Sequence, residues 1–351
     1  MQYRVIDSDA HVIETPLTFE HVEPGEEKYK PLVTTQTAGA TQLSNEGNVR
    51  KDYWIIDNNA YAKDRNQDST TDQGWREMTD IKGRVKHMDE LSIDVQVLFP
   101  TLFLRPCTDR QEVEWALFRS YNRWLVEIWK KAPTRLRWVA MAPLRSPLEK
   151  IEKELRFCKE HGACGIFMRP FECEMNVSDP HFFPFYELAA KLDMPICWHA
   201  GNASFQIHDF FFPINLPIHK LSLVATFHEI LMAELPKKFP DTKWAIIEGS
   251  AQWIPYALND LWLRKRKMGK RIAQDPMKDG NIWVAAQTTD DFDWIFKYTG
   301  DENLVIGTDY GHTDTSSEIE ALRIIKEGNK LPTGAVDKIL GPNAVALYGL
   351  N

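Results

Sequence analysis

The chain has 351 residues, with 42 Lys and Arg against 50 Asp and Glu, a formal net charge of −8. That balance argues against nucleic acid and anionic membrane surfaces as partners, and no apolar run reaches the roughly 20 residues of a membrane span. Five cysteines (Cys107, Cys158, Cys164, Cys173 and Cys197) form an odd set without a C-x-x-C spacing, as reduced thiols would, and the opening MQYRVIDSDAHV lacks the cationic-then-apolar order of a signal peptide, so a cytoplasmic protein is expected.

Short apolar runs recur along the chain, separated by stretches of helical periodicity. The first, Tyr3–Asp9, leads into a polar segment, 13–79, rich in Thr, Asn, Gln and Asp with scattered aromatics such as Tyr53, Trp54, Tyr61 and Trp75. Helix-like sequence resumes at DIKGRVKHMDEL. Further runs follow at Asp94–Phe99, Leu136–Met141, Cys164–Met168, Met194–His199, Lys243–Glu248, Asn281–Ala286 and Asn303–Thr308. Pro147–His161 shows the intervening pattern, with Leu148, Ile151, Leu155 and Cys158 on one helical face. Eight strand–helix repeats with right-handed crossovers predict an α/β fold, a parallel sheet closed into a (β/α)8 TIM barrel. An open doubly wound sheet is the alternative; the absence of G-x-G-x-x-G after the first run counts against its dinucleotide-binding form. The chain is read as one barrel domain over 1–351, with 13–79 a cap-like insertion after the first strand, on the catalytic face.

In such a barrel the strand ends converge on one cup, so residues far apart in sequence become neighbours. Asp9 and His11, two apart at the end of the first strand, point to the same side and make half of a metal site. His199 ends the fifth strand, Glu248 ends the sixth, and Asp309 follows the eighth with His312 three residues on. Ligand-type residues at that many strand ends predict a metal centre built from Asp9, His11, His199, Glu248, Asp309 and His312. Arg169, after the fourth strand, is expected to clamp a substrate carboxylate, with a structural ion pair as its alternative. His208 and His219 lie in an aromatic loop after the fifth strand; His208 is expected to bind substrate. Glu14 and His228 are outside candidates for ligands.

IDSDAHV at the first strand, WHAG at the fifth, GTDYGH at the eighth and the closing KILGPNAVALYGL together resemble the amidohydrolase-related (amidohydrolase 2) family of metal-dependent barrels, which contains aminocarboxymuconate semialdehyde decarboxylase. The resemblance implies a (β/α)8 barrel with Asp9, His11, His199 and Asp309 at the positions that hold a divalent metal, and Asp309 as ligand and proton carrier. Two positions depart from it. Decarboxylase-type members carry a histidine in a G-H-x-G setting after strand six, where this chain has Glu248, and many relatives have His-x-His where this chain has Asp9 and His11. Both changes add oxygen ligands, which suit iron or manganese at least as well as zinc. They bring the chain closer to a smaller branch of such barrels that binds two metals and activates dioxygen.

The expected function is therefore a dinuclear iron (Fe/Fe or Fe/Mn) hydroxylase of a small organic substrate, with dioxygen as co-substrate. The alternative is a mononuclear zinc or manganese hydrolase or decarboxylase acting on a carboxylated or aromatic small molecule, with Glu248 and Asp309 as acid–base groups. A third reading is an inactive subunit supporting a related chain. A homo-oligomer, or a hetero-oligomer with a related chain, is expected, with Trp54 and Trp75 available to an interface.

Overall fold

The computed structural model describes residues 4–37, 50–63, 66–201, 217–270, 275–328 and 331–350. The eight apolar runs form eight strands: β1 (Ile6–His11), β5 (Val95–Phe99), β6 (Leu136–Met141), β7 (Ala163–Met168), β8 (Ile196–His199), β9 (Trp244–Ile247), β10 (Ile282–Ala286) and β11 (Leu304–Ile306). They make one parallel sheet in the order β1-β5-β6-β7-β8-β9-β10-β11. Past β11 the chain returns to β1: the Asp309 amide donates to the Asp9 carbonyl and the His11 amide to the Tyr310 carbonyl, both at 2.9 Å, and Ala10 pairs with Tyr310 in parallel. These contacts close the ring into the expected barrel.

Strands covered on both faces read as unbroken apolar runs, because neither face meets water. Ile196–His199 and Trp244–Ile247 are buried at every position. On the outer wall Trp198 and Trp244 lie almost parallel, 5.4 Å apart, with Tyr186 edge-on to both. The connecting helices follow the predicted periodicity with one exception: Leu148–Glu160 buries Ile151, Leu155 and Cys158 but leaves Leu148 exposed at its first turn, and Ile81–Glu90 buries Ile81, Arg84 and Met88.

Residues 13–79 leave the C-terminal end of β1 and return to it, the Ile13 amide donating to the Arg76 carbonyl at 2.9 Å. Within this stretch β2 (Leu32–Thr37), β3 (Arg50–Ile56) and β4 (Asn59–Ala62) form an antiparallel sheet with β3 in the middle. The sequence reading named no strands there. Trp54 is 2% exposed and meets Phe19 edge-on at 5.5 Å, so it serves the core of this segment and is not available to a partner. Trp75 is half-buried against His87. Further on, Gln67 bridges His312 and the Asp68 amide donates to the Gly311 carbonyl at 2.8 Å, tying this segment to the loop after β11.

β1 carries a register irregularity between Asp7 and Ala10, where Ser8 and Asp9 face the single residue Val97 of β5. Such bulges re-aim side chains at barrel rims, and this one immediately precedes the cup. Opposite it, Gly307 leaves no room for a side chain: an added Cβ would lie 2.3 Å from the Asp9 Cβ. Gly307→Ala should therefore destabilise the fold by about 1–3 kcal/mol, the usual range for overpacking. Urea denaturation checks this; an unchanged midpoint would mean that β1 and β11 are free to separate.

Candidate metal centre and its cavity

Four of the predicted ligands meet at the ring closure. His11 Nε2 lies 3.4 Å from Asp9 Oδ1, 3.4 Å from Asp309 Oδ1 and 3.2 Å from His199 Nε2, and His199 Nε2 lies 3.2 Å from Asp9 Oδ1. Glu248 Oε2 is 3.1 Å from His199 Nδ1, and His312 Nδ1 is 2.7 Å from Asp309 Oδ1. All six residues are buried. Three overlapping groups have donor atoms within 4.8 Å of one another: Asp9, His11 and His199; His11, Asp309 and His312; and Glu248, Asp309, His312 and Asp314.

Hydrogen bonds behind the rings determine which nitrogen faces the cluster. His11 Nδ1 donates to the Pro100 carbonyl at 2.9 Å and His199 Nδ1 to the Ala200 carbonyl at 2.8 Å. A neutral imidazole has one N–H, so both Nε2 lone pairs turn inward, toward each other and toward two carboxylates. A proton or a cation must sit between them. Asp309 is held in the same way: the Ser317 hydroxyl donates to Oδ2 at 2.5 Å, which leaves Oδ1 facing the imidazoles. Asp309 Oδ1, His312 Nδ1 and Glu248 Oε2 have no hydrogen-bond partner although they are buried. Orphaned acceptors of this kind are costly unless a positive charge meets them. Imidazole nitrogens mixed with carboxylate oxygens are the donor set that iron, manganese or zinc accepts.

Electrostatics and backbone point the same way. Burial, helped by the neighbouring His312, pulls His11 down to about 4, and burial pulls His312 to about 4 as well. Asp9 is held well below the ordinary carboxylate range; burial opposes this, but His199 and His11 outweigh it. Burial acts to lower His199, yet the Asp9 charge beside it leaves it raised, as suits a proton occupying the gap in the metal-free chain. Burial and like charges raise Glu248 and Asp309 well above their ordinary values, Asp309 acting on Glu248 and Asp314 on Asp309. Both residues also adopt left-handed backbone, with φ of +62° and +51°. That conformation is costly for a residue with a side chain and concentrates at functional sites.

The cluster opens on a cavity of about 680 Å³, of a size for one small molecule. Thr101, Arg105, His219, Lys220, Glu248 and Asp314 are among its lining residues. Arg169, expected to hold a substrate carboxylate, is not among them. Its Nη2 pairs with Glu172 Oε2 at 2.6 Å and its Nη1 donates to the carbonyls of Phe103 and Arg105, so the structural ion pair accounts for it. Glu14 faces away from the cluster and accepts the amides of Thr101 and Leu102. His228 pairs with Asp260 on the helical shell. His208 lies outside the described residues. Asp314, which belongs to the third donor group, was missed by the sequence reading, although GTDYGHTD places it only two residues past His312. Its carboxylate accepts from Asn66 Nδ2 at 2.8 Å, a contact across the insertion that no local pattern encodes.

Comparison with known proteins gives consistent relationships. The family model described as amidohydrolase matches residues 6–350. Gamma-resorcylate decarboxylase of Polaromonas sp. (strain JS666 / ATCC BAA-500) is 30% identical over an alignment of 144 residues that covers 37% of this chain and 44% of that protein. The alignment thus spans less than half the length of that curated relative. Among solved structures, an amidohydrolase from Mycobacterium avium subsp. paratuberculosis K-10 superposes over 99% of this chain and 100% of its own, with a TM-score of 0.79 at 17% identity. A 5-carboxyvanillate decarboxylase from Sphingomonas paucimobilis superposes over 99% and 100%, with a TM-score of 0.71 at 15% identity. The corresponding decarboxylase of Novosphingobium aromaticivorans, solved with bound manganese, superposes over 99% and 97%, with a TM-score of 0.71 at 14% identity.

A cation that binds only the folded chain stabilises it, by about 2.7 kcal/mol at a hundredfold excess over its Kd. Saturating Mn(II) should therefore raise the melting temperature of metal-stripped protein, and His11→Ala should remove most of the rise. Protons compete for the same lone pairs, so the gain should shrink as the pH falls toward 4, where His11 and His312 take up protons. A gain that persists undiminished down to pH 4 would rule out these imidazoles as ligands.

Proposed function

The chain belongs to the amidohydrolase family, and from that premise we propose that it is a metal-dependent decarboxylase of a small, carboxylated, aromatic molecule. The observation that carries this reading is the Asp309 carboxyl, which belongs to the donor cluster beside Glu248 and His312, two residues that line the cavity, and which is strained in its backbone and raised well above its ordinary range by burial and by Asp314. A carboxyl raised in this way in the metal-free chain, beside a cavity-lining acid, suits the role of proton carrier to a bound molecule. Similarity to gamma-resorcylate decarboxylase in sequence, and to 5-carboxyvanillate decarboxylases in fold, supports decarboxylation over the dioxygen-dependent hydroxylation expected from the carboxylate-rich ligand set.

The reaction breaks one C–C bond, leaves its electron pair on the ring carbon, replaces the lost carboxyl with a proton and releases carbon dioxide. A divalent cation held by Asp9, His11, His199 and Asp309, with manganese the first candidate, would supply positive charge to orient and polarise the acid. Arg105 and Lys220 line the cavity and offer cationic groups for further oxygens of the substrate. Asp309 supplies the proton. Glu248, buried and raised in the same way, is a second acid at the position where decarboxylase-type relatives carry histidine.

The second reading, a dinuclear iron or iron–manganese hydroxylase, is favoured by one observation: Glu248 and Asp314 bring two more carboxylates to Asp309 and His312. Metal content separates the two. Protein purified with iron and manganese available should carry one cation per chain if it is the decarboxylase and two if it is the hydroxylase.

Metal-loaded protein offered gamma-resorcylate and 5-carboxyvanillate without an oxidant should release carbon dioxide. Asp309→Asn should lower kcat by roughly 10²–10⁴-fold, the range for loss of a general acid. Failure of the wild-type chain to release carbon dioxide from any of a panel of hydroxylated benzoates would overturn the assignment.

A further inference from the structure

Thr101 follows β5 and carries no charge, yet its hydroxyl is in contact with the donor cluster. Oγ1 lies 2.8 Å from the Val12 carbonyl and 2.9 Å from His312 Nε2. A carbonyl only accepts, so the single hydroxyl proton goes to Val12, and the oxygen is left to accept from His312. Nε2 of His312 must then carry the ring proton, which leaves Nδ1 with a lone pair. Nδ1 stands 2.7 Å from Asp309 Oδ1, but the contact is misaligned for a hydrogen bond, and both atoms are otherwise unpartnered.

The residue before Thr101 performs the complementary task. The Pro100 carbonyl takes the Nδ1 proton of His11 and turns that ring's Nε2 inward. His11 and His312 stack with centroids 3.9 Å apart, so one dipeptide assigns opposite tautomers to two adjacent rings. The dipeptide is itself fixed: the Thr101 and Leu102 amides donate to the two oxygens of buried Glu14, at 3.1 and 2.8 Å.

We propose that Thr101 is the positioning residue that locks His312 as its Nε2–H tautomer and so presents Nδ1, beside Asp309 Oδ1, as a cation ligand. The opposite tautomer would place a proton on Nδ1 and close the seat. This rests on the metal centre of the proposed function, extended to the donor group that His11, Asp309 and His312 form, and is independent of the substrate.

The test is ¹⁵N NMR of the full-length chain labelled at histidine, metal-free and loaded with Zn(II) as a diamagnetic probe, with His312→Gln assigning the signal. Wild-type His312 should show a protonated Nε2 and a bare Nδ1, and Zn(II) should shift the Nδ1 resonance while Nε2 keeps its proton. Thr101→Val cannot accept the bond; it should populate the Nδ1–H form and weaken Zn(II) binding by about 10–100-fold, the usual cost of losing a group that orients a ligand. Thr101→Ser should restore both. A wild-type His312 protonated at Nδ1, or a folded Thr101→Val with unchanged ¹⁵N pattern and Zn(II) affinity, would overturn the proposal. Should Thr101→Val not fold, the wild-type spectra decide alone. Absence of carbon dioxide release together with the expected ¹⁵N pattern would remove the decarboxylase assignment and leave this one standing.

Discussion

Two backbone hydrogen bonds join the segment just past the last barrel strand to the first strand, from the Asp309 amide to the Asp9 carbonyl and from the His11 amide to the Tyr310 carbonyl. The rest of the centre depends on this seam. It brings residues three hundred positions apart to within 3.4 Å and sets which side chains share the cup. It also explains why Gly307 must be bare, since a Cβ there would strike Asp9 across the seam, and Asp309, two residues on, takes left-handed backbone where the chain meets β1.

Behind the seam lies a second constraint, one of unspent acceptors. Buried carboxylates and imidazoles normally find hydrogen-bond partners, and here the partners of His11, His199 and Asp309 lie on the outer side, two carbonyls that accept and one hydroxyl that donates. Pro100, Ala200 and Ser317 each occupy the far atom of a side chain and leave the near one bare. Asp9, Glu248, Asp309 and Asp314 then crowd negative charge into one desolvated space, and a cation offsets it. The net charge of −8 overstates the acidity of the outer surface, because several of its carboxylates face inward.

Much of this was legible in the sequence. All eight barrel strands fell on the predicted runs, because strands shielded on both faces are mostly apolar and the runs stand out, with polar residues kept to the positions that build the centre or its supports. Asp9, His11, His199, Glu248, Asp309 and His312 were found by placing ligand-type residues at strand ends. Pairing was less legible. Arg169 carries two expectations, a substrate clamp and a structural ion pair, and the structure shows the second, with Glu172 three residues on as its partner. Glu14, offered as a ligand, satisfies two loop amides. The antiparallel sheet of the insertion has no single-face apolar alternation to betray it, since its Leu32 and Val33 are exposed. The hydroxyl of Thr101 has no sequence signature at all, because its role comes from two partners supplied by the segments that follow β1 and β11.

The docking of residues 66–68 on the loop after β11 has a consequence for how such a centre can change. Asp9, His11 and His199 belong to strands, and altering their geometry means altering the barrel. His312 and Asp314 ride on a loop that the insertion braces through Asn66, Gln67 and Asp68. The centre is thus divided into a half fixed by the barrel strands and a half carried on a loop that the insertion braces. A descendant could lengthen, shorten or replace the insertion and thereby retune the number and charge of ligands while leaving the architecture beneath untouched.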